Sequence, residues 1–173
     1  MEDSVGNPMR RIKIEKVTLN VGCGEDERKI ERAQKLLEML SGHKPVATLS
    51  KRRSTFGLMK GKPIGAMVTI RGKKAEEVLK LALTGIENKL KASQFNEDGN
   101  FSFGVSEYIE MEGVKYSHEI GTLGFDVAVT LARPGLRVAK RRIRTVQVPK
   151  KHKVNKDETI NWVKEKFGVS IIE

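Results

Sequence analysis

The sequence predicts an α+β fold in two layers, a mainly antiparallel sheet with helices packed on one of its faces. Three observations carry that expectation. Segments 11–21, 63–72 and 123–132 alternate apolar and polar residues, the period of strands that bury one face and leave the other wet. Segments 27–42 and 74–90 repeat their apolar residues every three or four positions, the period of helices buried along one stripe. At 173 residues the chain can enclose one well-buried core, so it reads as a single domain spanning 1–173.

Taken in order, residues 1–9 read as a loose tail. In RIKIEKVTLNV (11–21), Val17, Leu19 and Val21 share one face, with Thr18 and Asn20 on the other. GCGEDE is a turn with an acidic helix start, and Ile30, Ala33, Leu36, Leu37 and Leu40 form the stripe of a first helix that Gly42 caps. VATLS follows Pro45 as a short strand and opens into a basic loop, 49–62, containing KRRSTFGLMKGK. PIGAMVTIRG turns Ile64, Ala66, Val68 and Ile70 one way and Gly65, Met67, Thr69 and Arg71 the other. A second helix is expected from Lys74 to Leu90, burying Val78, Leu79, Ala82, Leu83, Ile86 and Leu90. NEDGN (96–100) is a turn, FSFGV a strand, and a polar loop runs from Glu110 to Glu119. LGFDVAVTLA (123–132) places Phe125, Val127, Val129 and Leu131 on one face before RPG breaks it. Residues 133–173 form a basic extension in which LRVAKRRIRTVQVPKKHK holds an extended or hairpin element. Asn155 and Glu158 are spaced as a capping box for a last helix that buries Ile160, Val163 and Phe167 and ends at Gly168, with Trp162 packed between helix and sheet.

Charge is distributed in blocks. Residues 39–75 contain nine Lys or Arg and no Asp or Glu, and residues 133–166 carry another net +9, while residues 76–132 carry net −6. Two cationic blocks on a near-neutral frame point to two contacts with a polyanion, nucleic acid above all. The loop KRRSTFGLMKGK combines cations for phosphates, Ser54 and Thr55 for phosphate or ribose, and Phe56 for stacking on a base. In the second block Val138, Ile143, Val146 and Val148 interleave the cations, unlike a plain disordered tail.

Several chemistries are disfavoured. Cys23 is the single cysteine, which precludes an internal disulfide and an all-cysteine metal site and fits a reducing compartment. His43, His118 and His152 are far apart and lack partners at ligand spacing, so no metal is expected. No apolar run approaches the roughly 20 residues that cross a bilayer, so the expected location is cytoplasmic with no membrane partner. VGCG (21–24), a glycine turn between a strand and a helix, is similar to the S-adenosylmethionine site of methyltransferases. However, Glu25, Asp26 and Glu27 crowd the anion-favouring helix end, and the acid-free next strand offers no ribose partner. GLMKGKPIG departs from a phosphate loop in glycine spacing, with Pro63 where a magnesium-binding hydroxyl belongs. No cofactor is expected. A general DNA-packaging role would leave the loop aromatic and the uncharged polar strand face unexplained.

Four stretches, KVTLNVGCGE (16–25), SGHKPVATLSKRRSTFGLMKGKPIGAMVTIRG (41–72), NEDGNFSFGVSE (96–107) and GTLGFDVAVTLARPG (121–135), occur in an order that resembles the large-subunit ribosomal protein five family. That family binds 5S rRNA in the central protuberance, and the long part from Arg133 onward is similar to its archaeal and eukaryotic branch. The resemblance implies a non-enzymatic protein of the cytoplasmic large ribosomal subunit, acting in translation. It implies 5S rRNA contacts at Asn20, His43, Phe56 and Thr69, with imidazole replacing the glutamine of bacterial members at His43. It implies a loop reaching the peptidyl-site tRNA through Lys51, Arg52, Arg53, Ser54, Thr55, Lys60 and Lys62, one residue shorter here than in bacteria. Large-subunit rRNA is then expected at Arg133, Arg137, Lys140, Arg141, Arg142 and Arg144, and ribosomal proteins of the central protuberance as neighbours.

Overall fold

The computed structural model describes residues 7–53 and 59–172. Its elements run β1 (Lys13–Gly22), α1 (Glu27–Ser41), β2 (Val46–Leu49), β3 (Pro63–Ile70), α2 (Lys73–Thr84), β4 (Lys89–Lys91), β5 (Phe101–Val105), β6 (Phe125–Ala132), α3 (Arg137–Lys140), α4 (Lys156–Phe167) and β7 (Ser170–Ile172). Five strands form one antiparallel sheet in the order β2-β3-β1-β6-β5, so the first strand of the chain lies at its centre. The expected α+β architecture is the observed one.

The alternation in the sequence becomes the two faces of this sheet. Val17, Leu19, Val21, Val68, Ile70, Phe101, Phe103, Val105, Phe125, Val127, Val129 and Leu131 are all buried, and they share one core with Ala33, Leu36 and Leu37 of α1 and Leu79, Ala82 and Leu83 of α2. Helix α1 lies against β3, and α2 against β1. The start of α1 is set by Asp26, whose carboxylate accepts the backbone N–H groups of Arg28 and Lys29 at 3.1 and 3.3 Å. Its end is set by Gly42, left-handed at φ 63°, whose N–H closes on the Glu38 carbonyl at 2.8 Å.

The second helix is shorter than its apolar period suggested. It ends at Thr84, and Glu87 and Asn88 turn the chain through positive φ values of 53° and 54°. Leu90, expected on the helical stripe, is instead the buried residue of β4, which pairs in parallel with β7. A residue spaced to continue a helical stripe is equally able to fill the same core from a three-residue strand, and periodicity alone does not separate the two. The pairing of β4 with β7 was not anticipated from sequence.

Two further expectations are corrected. Pro8–Arg10, at the end of the expected loose tail, is a 3-10 turn capped by Asn7, whose carboxamide oxygen accepts the Met9 N–H at 3.0 Å. The basic stretch after RPG is neither extended nor a hairpin at its start. It makes the single turn α3 and then runs to Pro149 without a sheet partner among the described residues, leaving Ile143 and Val146 exposed. The last helix has the expected start and end, with the Glu158 carboxylate accepting the Asn155 N–H at 3.3 Å and Gly168 left-handed at φ 65°, but Ile160 and Phe167, expected to be buried, are only half-buried against the core. Val163 is fully buried, and Trp162 is half-buried at the core's margin, edge-on to Phe167 at 5.7 Å.

Candidate nucleic-acid interface

All the helices that fill the core lie on one side, and among the described residues nothing covers the opposite face of the five-stranded sheet. Pairing registers arrange this face into rows. One row crosses every strand through Val46, Met67, Asn20, Asp126 and Gly104. The next holds Thr69, Thr18, Ala128 and Ser102, and a third, on the other side of the first, holds Thr48, Gly65 and Gly22. At the usual spacing of about 4.8 Å between strands the first row is about 20 Å long. Its residues are small or uncharged apart from Asp126, and Ser102, Gly104, Asp126 and Ala128 are exposed.

Such a surface carries small side chains, several hydroxyls, the Asn20 carboxamide and little charge. Those are the properties needed against the wide, shallow minor groove of an RNA helix, where ribose hydroxyls and base edges are displayed. Val46 and Leu49 on the edge strand and Met67 beside it are 65%, 57% and 37% exposed, so apolar area is available there for ribose or base faces. Asn20 and Thr69 are diagonal neighbours on adjacent strands of this face. His43 is not in the rows. It is exposed in the turn between α1 and β2, where its backbone N–H donates to the Ser41 hydroxyl at 3.1 Å. Lys74, at the start of α2, brings its ammonium beside Gly42 of the same turn. Phe56, Ser54 and Thr55 lie outside the described residues.

Cations extend from the edge hairpin of this face. The basic loop continues the β2–β3 hairpin, closed at its base by the Ser50 N–H on the Lys62 carbonyl at 2.8 Å and the Gly61 N–H on the Ser50 carbonyl at 2.9 Å. Lys51, Arg52, Arg53, Lys60 and Lys62 are exposed and make no ion pair among the described residues. In the second block Arg137, Arg142 and Arg144 are exposed, Arg141 donates to the Arg144 carbonyl at 2.8 Å, and Lys140 is paired with Glu15. Arg133 departs from the role expected of it. Its side chain is 11% exposed and donates to the Glu158 carboxylate at 2.9 Å, so it ties the end of β6 to α4 instead of facing outward.

The VGCG turn is filled by the protein itself. The N–H groups of Cys23 and Gly24 both donate to the Ile64 carbonyl, at 3.0 and 3.1 Å, and Asp26 occupies the helix N-terminus where an anionic ligand would sit. Burial raises the Cys23 thiol above its ordinary pKa, which disfavours the thiolate a nucleophile needs. Among the described residues no group of three His, Cys, Asp or Glu side chains is placed to hold a metal ion, and no helix is long and apolar enough to cross a membrane.

The family resemblance singled out Asn20 and Thr69, which the alternation places on the polar faces of their strands, but not Asp126, Ala128, Ser102 or Gly104. Their outward positions were implied by the alternation of β5 and β6. Only the strand order, which brings β6 and β5 beside β1, places them on the same surface as Asn20.

Two family models match the chain, that of ribosomal protein L5 over residues 7–58 and that of the C-terminus of the same ribosomal family over residues 63–162. Similar full-length proteins named large ribosomal subunit protein uL5 occur in archaea. That of Sulfurisphaera tokodaii is 48% identical, covering 99% of this chain and 98% of the relative. That of Nanoarchaeum equitans is also 48% identical, over 96% and 99%, and that of Methanosphaera stadtmanae is 45% identical, over 95% and 99%. With both halves matched and near-complete coverage at this identity, the chain belongs to the ribosomal protein L5 family, whose members are structural and non-enzymatic.

Proposed function

We propose that this chain is a structural constituent of the cytoplasmic large ribosomal subunit that docks its uncovered sheet face on 5S rRNA and offers its basic hairpin loop to the peptidyl-site tRNA. The observation that carries the reading is an uncovered five-strand face, nearly free of charge, extended at its edge by cations of the β2–β3 loop that make no ion pair among the described residues. The cations supply salt-sensitive attraction to phosphate, and the face supplies shape and ribose recognition. Exposed arginines of the C-terminal block contact large-subunit rRNA, and ribosomal proteins of the central protuberance are neighbours. His43 and Lys74 extend the 5S contact at the edge of the face.

The two contacts separate by mutation. Combining Asn20→Ala with Thr69→Ala weakens 5S rRNA binding by about 2 kcal/mol, roughly 30-fold, if each removes one buried hydrogen bond. Combining Arg52→Ala with Arg53→Ala leaves 5S rRNA affinity within a few fold and reduces crosslinking to peptidyl-site tRNA on assembled ribosomes. Filter binding and crosslinking of both double variants give the test. Loss of 5S rRNA affinity in the loop variant with none in the face variant would reverse the assignment.

A further inference from the structure

Asp126 is the one carboxylate in the registered rows of the uncovered face, standing directly opposite Asn20 on β1 and Gly104 on β5. It is exposed, and it makes no ion pair and no side-chain hydrogen bond among the described residues. Space around it is kept open by its neighbours. A Cβ at Gly104 would come 3.4 Å from its Oδ1, and Ala128 follows on the same face. A carboxylate in the middle of a surface that receives a polyanion is repelled wherever it faces phosphate. It is favourable only where the RNA turns hydrogen-bond donors toward it, because an ionised carboxylate can accept and never donate. RNA offers such donors on base edges and ribose 2′-hydroxyls, and guanine alone presents two side by side, N1–H and the N2 amino group.

Resting on the reading of this face as the 5S rRNA site, we infer that Asp126 is a specificity-determining residue that accepts paired donors from the N1–H/N2–H edge of an accessible, unpaired guanine. The Asn20 carboxamide, opposite it on the central strand, supplies a donor and an acceptor for the adjoining base or ribose atoms. The uncharged residues along the row leave this guanine contact as the one point at which a phosphate in the same place is rejected. Asp126 thereby discriminates between RNAs more than it adds attraction, in the way that charged groups set against wrong partners confer specificity.

Asp126→Asn is nearly isosteric and tests the inference on the full chain, with 5S rRNA and a random duplex RNA measured side by side. The expected result is at least a tenfold loss of 5S rRNA affinity with equal or tighter binding of the random duplex, so that discrimination collapses from both sides. Inosine in place of guanosine in the protected part of 5S rRNA, which removes the N2 amino group, should weaken the unaltered protein and have little further effect on the variant. If the unaltered protein prefers 5S rRNA and Asp126→Asn binds it as tightly or more tightly, the assignment of Asp126 is overturned while the face remains the site. If the unaltered protein shows no preference between the two RNAs, the 5S reading itself fails and the inference falls with it.

Discussion

Ala128→Glu is expected to weaken 5S rRNA binding by roughly 100-fold, equivalent to about 3 kcal/mol of like-charge repulsion at a contact surface. Ala128 is exposed on β6 between Thr18 and Ser102, so the new carboxylate stands in the interior of the uncovered face. Its stability cost should be within about 0.5 kcal/mol, as for other surface substitutions. Ala128→Gln separates charge from bulk. It adds a similar volume without the negative charge, and its loss of affinity should be clearly smaller. Equal affinity of the Glu variant and the unaltered protein, measured at low salt where repulsion is strongest, would mean that RNA does not lie on this face.

Gly65→Ala is expected to destabilise the fold by about 3 kcal/mol, the upper end of ordinary overpacking, because the obstacle is backbone and not a side chain that can swing aside. A Cβ there would approach the Val21 carbonyl oxygen to 2.3 Å and the Thr48 hydroxyl to 3.0 Å, forcing β3 away from β1 at the centre of the sheet. For a chain of this size that corresponds to a fall in melting temperature of about 8 °C. Its neighbour across the register, Gly22, has no atom of the described residues within 4 Å of the corresponding position. Gly22→Ala should therefore leave the melting temperature nearly unchanged, and the pair distinguishes close backbone approach from a general intolerance of the row.

How much of this was visible in the residues depends on the range over which each signal acts. The first helix was legible because both ends are marked locally, by Asp26 and Gly42, and because one stripe of apolar residues lies between them. The strands β1, β3 and β6 were legible because alternation is a property of consecutive residues. Leu90 was misplaced because a helical spacing after Ile86 and a three-residue strand bury the same side chain, and the choice is made by a distant partner, β7, at the far end of the described chain. The ion pair of Arg133 was not legible for a similar reason. Within its own segment Arg133 is one cation among many, and only the approach of α4 brings Glu158 to it. Asn20 and Thr69 were named in advance, but the row that joins Asn20 to Asp126 and Gly104 depends on strand order, which no local pattern contains.

In the proposed docking, a sheet face nearly free of charge, with Asp126 as the carboxylate in its registered rows, gives specificity, and the cationic segments give attraction. Competition binding of the purified protein to labelled 5S rRNA, with tRNA and a random duplex RNA as competitors across a salt series, tests it most directly. The expected result is that 5S rRNA stays bound at salt concentrations that release the random duplex, since contacts to ribose and base edges release few counterions while phosphate contacts release many. Equal affinity for all three RNAs with the same steep salt dependence would contradict the claim and leave only the basic loop and the C-terminal block in contact with RNA.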